Sequence, residues 1–280
     1  MAESIKGKRT LQRTIISITL VLLLSYIMLC GAAYFFSEKL IFPYKDSSYG
    51  PSLPGLIILK AKDGTPVAAR YWKTHSADSL VILFHGNYED LGHLDRIANT
   101  IMRAGFSLLA MDYRGYGLSK GTPTENNCYS DARMMLHKAR ALGYDDPNII
   151  LWGRSVGSGP ATQLAIESNP RALVLESPFT TAFRTMTRIP LLPFDKFNNL
   201  EKMNKVTSPL LILHGTNDTI IPSWHSSRLI DRHRHAKSLH LIEGAGHNDL
   251  WTKALEPAFK KLNRLLERYD SSPRRLPEAR

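Results

Sequence analysis

From residue 80 onward the chain alternates short apolar runs with longer amphipathic stretches. Leu80-Val81-Ile82-Leu83-Phe84 is apolar throughout, as expected of a strand buried on both faces of a parallel sheet. Beyond it the pattern predicts a helix over 91–103, a strand over 107–111, a helix over 129–141, a strand over 148–152 and a helix over 156–168. Further strands are expected at 172–175, 210–213 and 239–242, with helices at 223–232 and 250–266. Upstream, residues 56–59 and 67–72 are β-rich and flank Lys62-Asp63-Gly64-Thr65, and an Asp-Gly pair in that setting signals a hairpin. Strands that alternate with helices imply an α/β fold with a mostly parallel sheet flanked by helices, whose ligands gather beyond the carboxyl ends of the strands.

The N-terminal pattern is of a different kind. Residues 15–36 carry no charge, and as a helix they would extend about 33 Å, enough to cross a hydrocarbon core of about 30 Å. The apolar run continues through Tyr34-Phe35-Phe36, past the small residues Gly31-Ala32-Ala33 that a cleaved signal peptide would use, so an uncleaved anchor is expected. Lys6, Lys8, Arg9 and Arg13 precede the segment, and only Lys39 and Lys45 follow it closely. That bias places the N-terminus in the cytoplasm and the main domain across the membrane.

Charge and composition change this picture little. The net charge is +11, of which residues 1–14 hold +3 and residues 264–280 hold +2. A basic surface of this kind keeps a domain soluble or meets anionic headgroups. No basic run is interleaved with aromatics, so nucleic acid is not an expected partner. Two cysteines, Cys30 in the apolar segment and Cys128 in a predicted loop, do not suggest a disulfide. His233-Arg234-His235 has no companion cluster that would complete a metal site, and Gly115-Tyr116-Gly117 lacks the lysine of a phosphate loop, so no metal and no cofactor is expected.

The polar residues that can do chemistry fall where strands end. His85-Gly86-Asn87 follows the first buried strand and Asp112-Tyr113-Arg114-Gly115 the next. Glu176-Ser177, His214-Gly215-Thr216-Asn217-Asp218 and Gly244-Ala245-Gly246-His247 follow later ones. Gly153-Arg154-Ser155-Val156-Gly157 is a G-x-S-x-G sequence at a strand-to-helix junction, where small neighbours let the chain turn sharply and expose the serine hydroxyl. Serine needs a base to become a nucleophile, and that base needs a carboxylate to hold its tautomer. Ser155, Asp218 and His247 supply the three in the order Ser…Asp…His. Glu176 is the rival carboxylate, with Asp112 and Asp249 behind it. The main-chain N–H groups of Val156 and Asn87 are the candidate oxyanion donors.

Taken together, His85-Gly86-Asn87, Asp112-Tyr113-Arg114-Gly115-Tyr116-Gly117-Leu118-Ser119, the G-x-S-x-G sequence, His214-Gly215-Thr216-Asn217-Asp218 and Gly246-His247 resemble the α/β-hydrolase-domain family. They are most similar to its membrane-anchored, peptidase- and esterase-like branch, which includes protein depalmitoylases. The resemblance covers residues 55–265. It implies an α/β-hydrolase fold and a serine hydrolase that forms an acyl-enzyme on Ser155, with Asp218 and His247 completing a triad and Asn87 and Val156 an oxyanion hole. Small-molecule or acylated substrates follow from it, by cleavage of an ester, thioester or amide bond. A peptidase is the alternative enzyme, and a silent binding module of the same fold is the alternative of another class. Asn87-Tyr88 stands where a lipase-like branch would carry a glycine-rich run.

The expected organisation is a basic segment over 1–14, a transmembrane anchor over 15–36, a linker over 37–54, a catalytic domain over 55–268 and a basic tail over 269–280. Only about thirty residues, 178–208, separate two of the buried strands, so the lid is expected to be small. Within it Ile189-Pro190-Leu191-Leu192-Pro193-Phe194 is strongly apolar. It either packs on the sheet edge, lines an acyl pocket or touches the bilayer.

Overall fold

A computed structural model of the chain describes residues 2–43, 46–75 and 77–271, with side chains from residue 11 onward except at 252 and 254–256. The tail expected over 269–280 lies outside the described residues from 272 on, as do Tyr44 and Lys45 of the expected linker and the side chains of Lys6, Lys8 and Arg9.

Helix α1 (Ala2–Ile41) contains the apolar segment, and within its stretch Leu11–Ile41 an 18-residue window reaches a mean hydropathy of 2.4, sufficient in length and composition to cross a membrane. Leu20, Leu22, Leu24 and Leu29 stand exposed along it.

The linker expected over 37–54 is not a loose tether at its start. No helix breaker occurs before Pro43, and α1 continues through Ser37 to Ile41. The next residue, Phe42, is buried among Tyr113, Tyr116 and Phe197, at ring-centroid distances of 5.4, 6.3 and 6.0 Å. Glu38 pairs with Lys196 at 3.1 Å and accepts the Glu125 N–H at 3.3 Å. Farther on, Ser48 donates its N–H to Asp90 at 2.7 Å, the Tyr49 hydroxyl donates to Asp112, and Arg70 Nε donates to the Pro54 carbonyl at 2.8 Å.

Strands β1 (Leu56–Lys60) and β2 (Pro66–Trp72) form the expected antiparallel hairpin. They are followed by β3 (Leu80–Phe84), α2 (Asp95–Arg103), β4 (Ser107–Met111), α3 (Glu125–Ala141), β5 (Ile149–Arg154) and α4 (Ser158–Glu167). The chain closes with β6 (Ala172–Glu176), α5 (Asn199–Lys202), β7 (Leu210–Gly215), α6 (Trp224–Arg232), β8 (Lys237–Ile242) and α7 (Leu250–Asp270). Among the described residues these strands make an eight-stranded sheet in the order β1-β2-β4-β3-β5-β6-β7-β8, parallel from β4 to β8.

Alternate residues of the central strands feed two cores. Ile82, Phe84, Leu151, Leu173 and Ile212 face Met135, Ala161 and Leu164 of α3 and α4. Val81, Leu83, Trp152, Val174 and Leu211 face Ile97 and Ile101 of α2 and Phe259 and Leu262 of α7. Burial on both faces explains why β3, and β5 from Ile149 to Trp152, are apolar at every position rather than at every second one.

The strand order determines where a ligand can sit. From β3 the chain crosses to β4 on one side, and β5 then pairs with β3 on the other. The loops leaving β3 and β5 therefore diverge, and a crevice opens at the carboxyl ends of these two strands.

Candidate active site

Ser155 stands at that crevice. It directly follows β5 with φ +52°, in the left-handed region that a serine rarely adopts, at a cost of order 1–3 kcal/mol that the surrounding packing must sustain. One 3-10 turn, Ser155–Gly157, leads straight into α4, and the Ser158 hydroxyl donates to the Ser155 carbonyl at 2.6 Å. The two glycines of the motif are required sterically: a methyl group at 157 would lie on the Phe84 carbonyl oxygen of β3, and one at 153 on the Gly157 carbonyl. The N–H of Val156 belongs to the first turn of the helical segment, which leaves it without an intrahelical acceptor.

His247 comes from the loop after β8 and Asp218 from the loop after β7. His247 Nε2 lies 3.1 Å from Ser155 Oγ, and His247 Nδ1 lies 2.7 Å from Asp218 Oδ2. A carboxylate at that distance requires a proton on Nδ1, so the Nε2 lone pair faces the serine hydroxyl, which donates to it. Asp218 is fixed in turn. Its Oδ1 accepts the N–H groups of Ile220 at 3.0 Å and Ile221 at 2.8 Å, and His214 Nε2 lies 3.3 Å from Oδ2. Burial alone would push the Asp218 pKa up. The hydrogen bonds from His214, His247 and Ile221 outweigh it and hold the carboxyl below the usual aspartate range. Asp218 thus stays ionised across the neutral range, as an orienting carboxylate must.

The rival carboxylates are engaged elsewhere. Asp112 holds the Leu91 N–H at 2.9 Å and faces His85 Nε2 at 3.3 Å. Asp249 accepts the Gly246 N–H at 2.6 Å and pairs with Lys253 at 2.7 Å. Glu176 is fully buried beside Arg154, whose Nε lies 3.3 Å away, and burial pushes its pKa up to about 7 against that attraction.

The loop after β3 brings Asn87 alongside. A methyl group on Gly86 would stand 4.0 Å from Ser155 Cβ. The Asn87 side chain donates to the Ile41 carbonyl at 2.9 Å, and its own carbonyl accepts the Tyr116 hydroxyl at 3.0 Å. What Asn87 can offer a substrate is consequently its main-chain amide.

Three residues of this site were given no role by the sequence, although Arg154 and His214 stand inside its motifs. Arg154, the variable position of the elbow, pairs with Glu89 on the β3 loop and with Glu176 at the end of β6, and its Nη2 reaches Asn248 Oδ1 at 3.5 Å, beside His247. Glu89 in turn accepts the Gly86 N–H at 3.0 Å. His214 sits under Asp218, its Nδ1 2.6 Å from Ser226 Oγ and its Nε2 2.7 Å from the Ile221 carbonyl. Register is the signal that would have found the first pair, since Arg154 and Glu176 are direct neighbours across β5 and β6.

The cluster Asp112 to Ser119 proves to be scaffold rather than chemistry. Buried Arg114 makes a bidentate pair with Asp131 of α3 at 2.8 and 2.9 Å and reaches Asp63 in the β1–β2 turn at 2.6 Å. Ser119 donates to the Asp112 carbonyl at 3.0 Å and accepts the Ala68 N–H at 2.8 Å.

Comparison with known proteins agrees with this architecture. The family described as serine aminopeptidase, S33, matches residues 75–200. Human alpha/beta hydrolase domain-containing protein 17B is 34% identical over 196 residues, which is 68% of this chain and 68% of that one. The 17C protein of Xenopus tropicalis is 38% identical over 175 residues, 61% of this chain and 56% of its own length. Among solved structures, an esterase of Pyrococcus furiosus superposes with a TM-score of 0.66 at 18% identity, covering 82% of this chain and 97% of that one. A soluble variant of the Saccharomyces cerevisiae monoglyceride lipase gives 0.61 at 18% identity, covering 80% and 98%. At such identities the likeness is one of fold. With a relative of this similarity matched over two thirds of its length, the chain belongs to the α/β-hydrolase family of serine hydrolases.

Proposed function

We propose that the enzyme cleaves acyl esters or thioesters through an acyl-enzyme on Ser155. The observation that carries this reading is the relay Ser155–His247–Asp218, at 3.1 and 2.7 Å, built on a serine held at φ +52°. In it the Ser155 Oγ–H bond breaks as Oγ bonds to the substrate carbonyl carbon, and the proton passes to His247 Nε2. Asp218 stabilises the imidazolium, and the N–H groups of Val156 and Asn87 receive the oxyanion. His247 then returns the proton to the departing alcohol or thiol, and a water deprotonated by the same nitrogen releases the acid. Every step uses side chains or amides of this chain.

The choice of ester or thioester over peptide rests on the esterase and lipase folds it superposes on. The matched serine aminopeptidase family keeps an amide substrate as the second reading. We place α1 across a membrane with the N-terminus cytoplasmic and the catalytic domain on the far side, supported by Lys6, Lys8, Arg9 and Arg13 ahead of the span.

The test is labelling of the purified full chain by a fluorophosphonate, with Ser155→Ala and His247→Ala alongside. Wild type is expected to label and both variants to lose labelling, with turnover of acyl esters falling at least about 10³-fold. A folded wild type that stays unlabelled would mean that the relay is not reactive, and the fold would then serve as a tethered binding module. Turnover of an aminoacyl amide above that of esters would favour the peptidase.

A further inference from the structure

The insert that carries Ile189-Pro190-Leu191-Leu192-Pro193-Phe194 does not pack on the sheet edge. It lies along α1. Three contacts follow each other in register down the helix: Lys196 Nζ with Glu38 Oε1 at 3.1 Å, the Phe194 ring with Tyr34 at 5.9 Å, and the Leu191 carbonyl accepting the Tyr26 hydroxyl at 3.1 Å. From Glu38 to Tyr26 is about 18 Å of helix at 1.5 Å per residue. Tyr26 stands midway along the uncharged segment 15–36.

We infer that residues 189–194 form a membrane-embedded element whose partner is the hydrocarbon of the leaflet nearest the catalytic domain. The inference rests on reading α1 as a span and does not depend on the hydrolytic chemistry. If the segment 15–36 fills the hydrocarbon, whatever is bound to Tyr26 and Tyr34 goes there with it.

The composition of the insert fits that solvent. At one end its charge boundary coincides with that of the helix: below the Glu38–Lys196 pair, α1 carries no charged residue back to Arg13, and the insert carries none from 189 to 194, between Arg188 and Asp195. Part of its backbone is already spared water. Pro190 and Pro193 have no N–H, the Ile189 carbonyl accepts the Thr187 hydroxyl at 2.9 Å, and the Leu191 carbonyl is held by Tyr26. Polar backbone groups are tolerated at membrane depth only when they are satisfied in this way. Met186, Ile189 and Leu191 are 82, 64 and 50% exposed, an apolar surface that water would penalise and acyl chains would cover.

The site is joined to the same helix. The last carbonyl of α1, on Ile41, is held by the Asn87 side chain in the loop beside Ser155. The crevice is thereby tied to the end of α1, five residues beyond the uncharged segment 15–36.

The experiment is depth-dependent quenching of an environment-sensitive fluorophore attached through Leu191→Cys or, separately, Leu20→Cys. It uses the full chain with Cys30→Ser, reconstituted in vesicles, with unfolding midpoints confirming that each labelled protein is folded; Cys128 is buried. Spin labels near the middle of the lipid chains are expected to quench the probe at 191 more strongly than labels near the headgroup, with protection from aqueous iodide. Lipid quenching at 20 with iodide quenching at 191 would overturn the embedded insert while leaving the span intact. Iodide quenching at both positions would remove the span and the insert together. Each result is read without any substrate, so a failure of the hydrolase reading is scored separately.

Discussion

Arg154 occupies the position of the elbow motif that the chemistry leaves open, and the fold uses it to tie the nucleophile's strand to the loop after β3 and the end of β6. Its partner Glu176 is held in an apolar setting that raises its pKa from 4.5 to about 7. The sign of the consequence is definite. Between those two values the folded chain binds more protons at Glu176 than the unfolded chain does, so this residue makes stability fall as the pH rises from about 4.5 to about 7. Glu176→Gln cannot titrate. Its stability relative to wild type is expected to improve by up to about 3 kcal/mol across that window, measured by denaturant unfolding at a series of pH values. A constant difference would mean that Glu176 titrates in the folded chain as it does in the unfolded one. The residues of the relay were readable because nucleophile, base and orienter each demand a particular side-chain type. The roles of Arg154, Glu89 and His214 were not, since what makes them matter is a neighbour in space, even where, as for Arg154 and His214, the residue stands inside a motif.

At the scale of elements, apolar runs buried on both faces identified every central strand, and the misjudged boundaries have local causes. Helix α3 begins at Glu125, four residues before the apolar period starts, because the Thr124 hydroxyl caps it by accepting the Asn127 N–H at 3.1 Å. Helix α1 outlasts its apolar stretch because nothing in residues 37–41 breaks a helix and because Phe42, one residue on, has a hydrophobic destination. No periodicity in 37–54 announces that destination, since Tyr113, Tyr116 and Phe197 are assembled from distant parts of the chain. Phe42→Ala is expected to destabilise the folded catalytic domain by about 3–5 kcal/mol, read as a lowered unfolding midpoint of the full chain in detergent. A loss below about 1 kcal/mol would show that the joint between anchor and domain is superficial.

For the whole molecule, the sequence carried the sheet, its flanking helices and the apolar span, but not the way they are joined, which is a matter of long-range contact. The proposed orientation has a direct check. A reporter active only outside the cytoplasm, fused after Arg280, is expected to give signal in cells that express the full chain, and a reporter active only inside is expected to stay silent. The reverse pattern would invert the topology and put Ser155 on the cytoplasmic face.

The joint itself has a geometric consequence. Glu38 is held by Lys196, the Ile41 carbonyl by Asn87, and Phe42 by three aromatic rings, so the crevice is clamped to the end of α1 rather than suspended from it. A tethered enzyme on a flexible leash samples a hemisphere and attacks whatever it can swing to. On the proposed membrane placement, one fixed in this manner has a constant reach, and the scissile bond must come to the height of Ser155 above the bilayer. Such a molecule selects its targets by how far from the membrane they present the bond, before any pocket has tested what the bond joins.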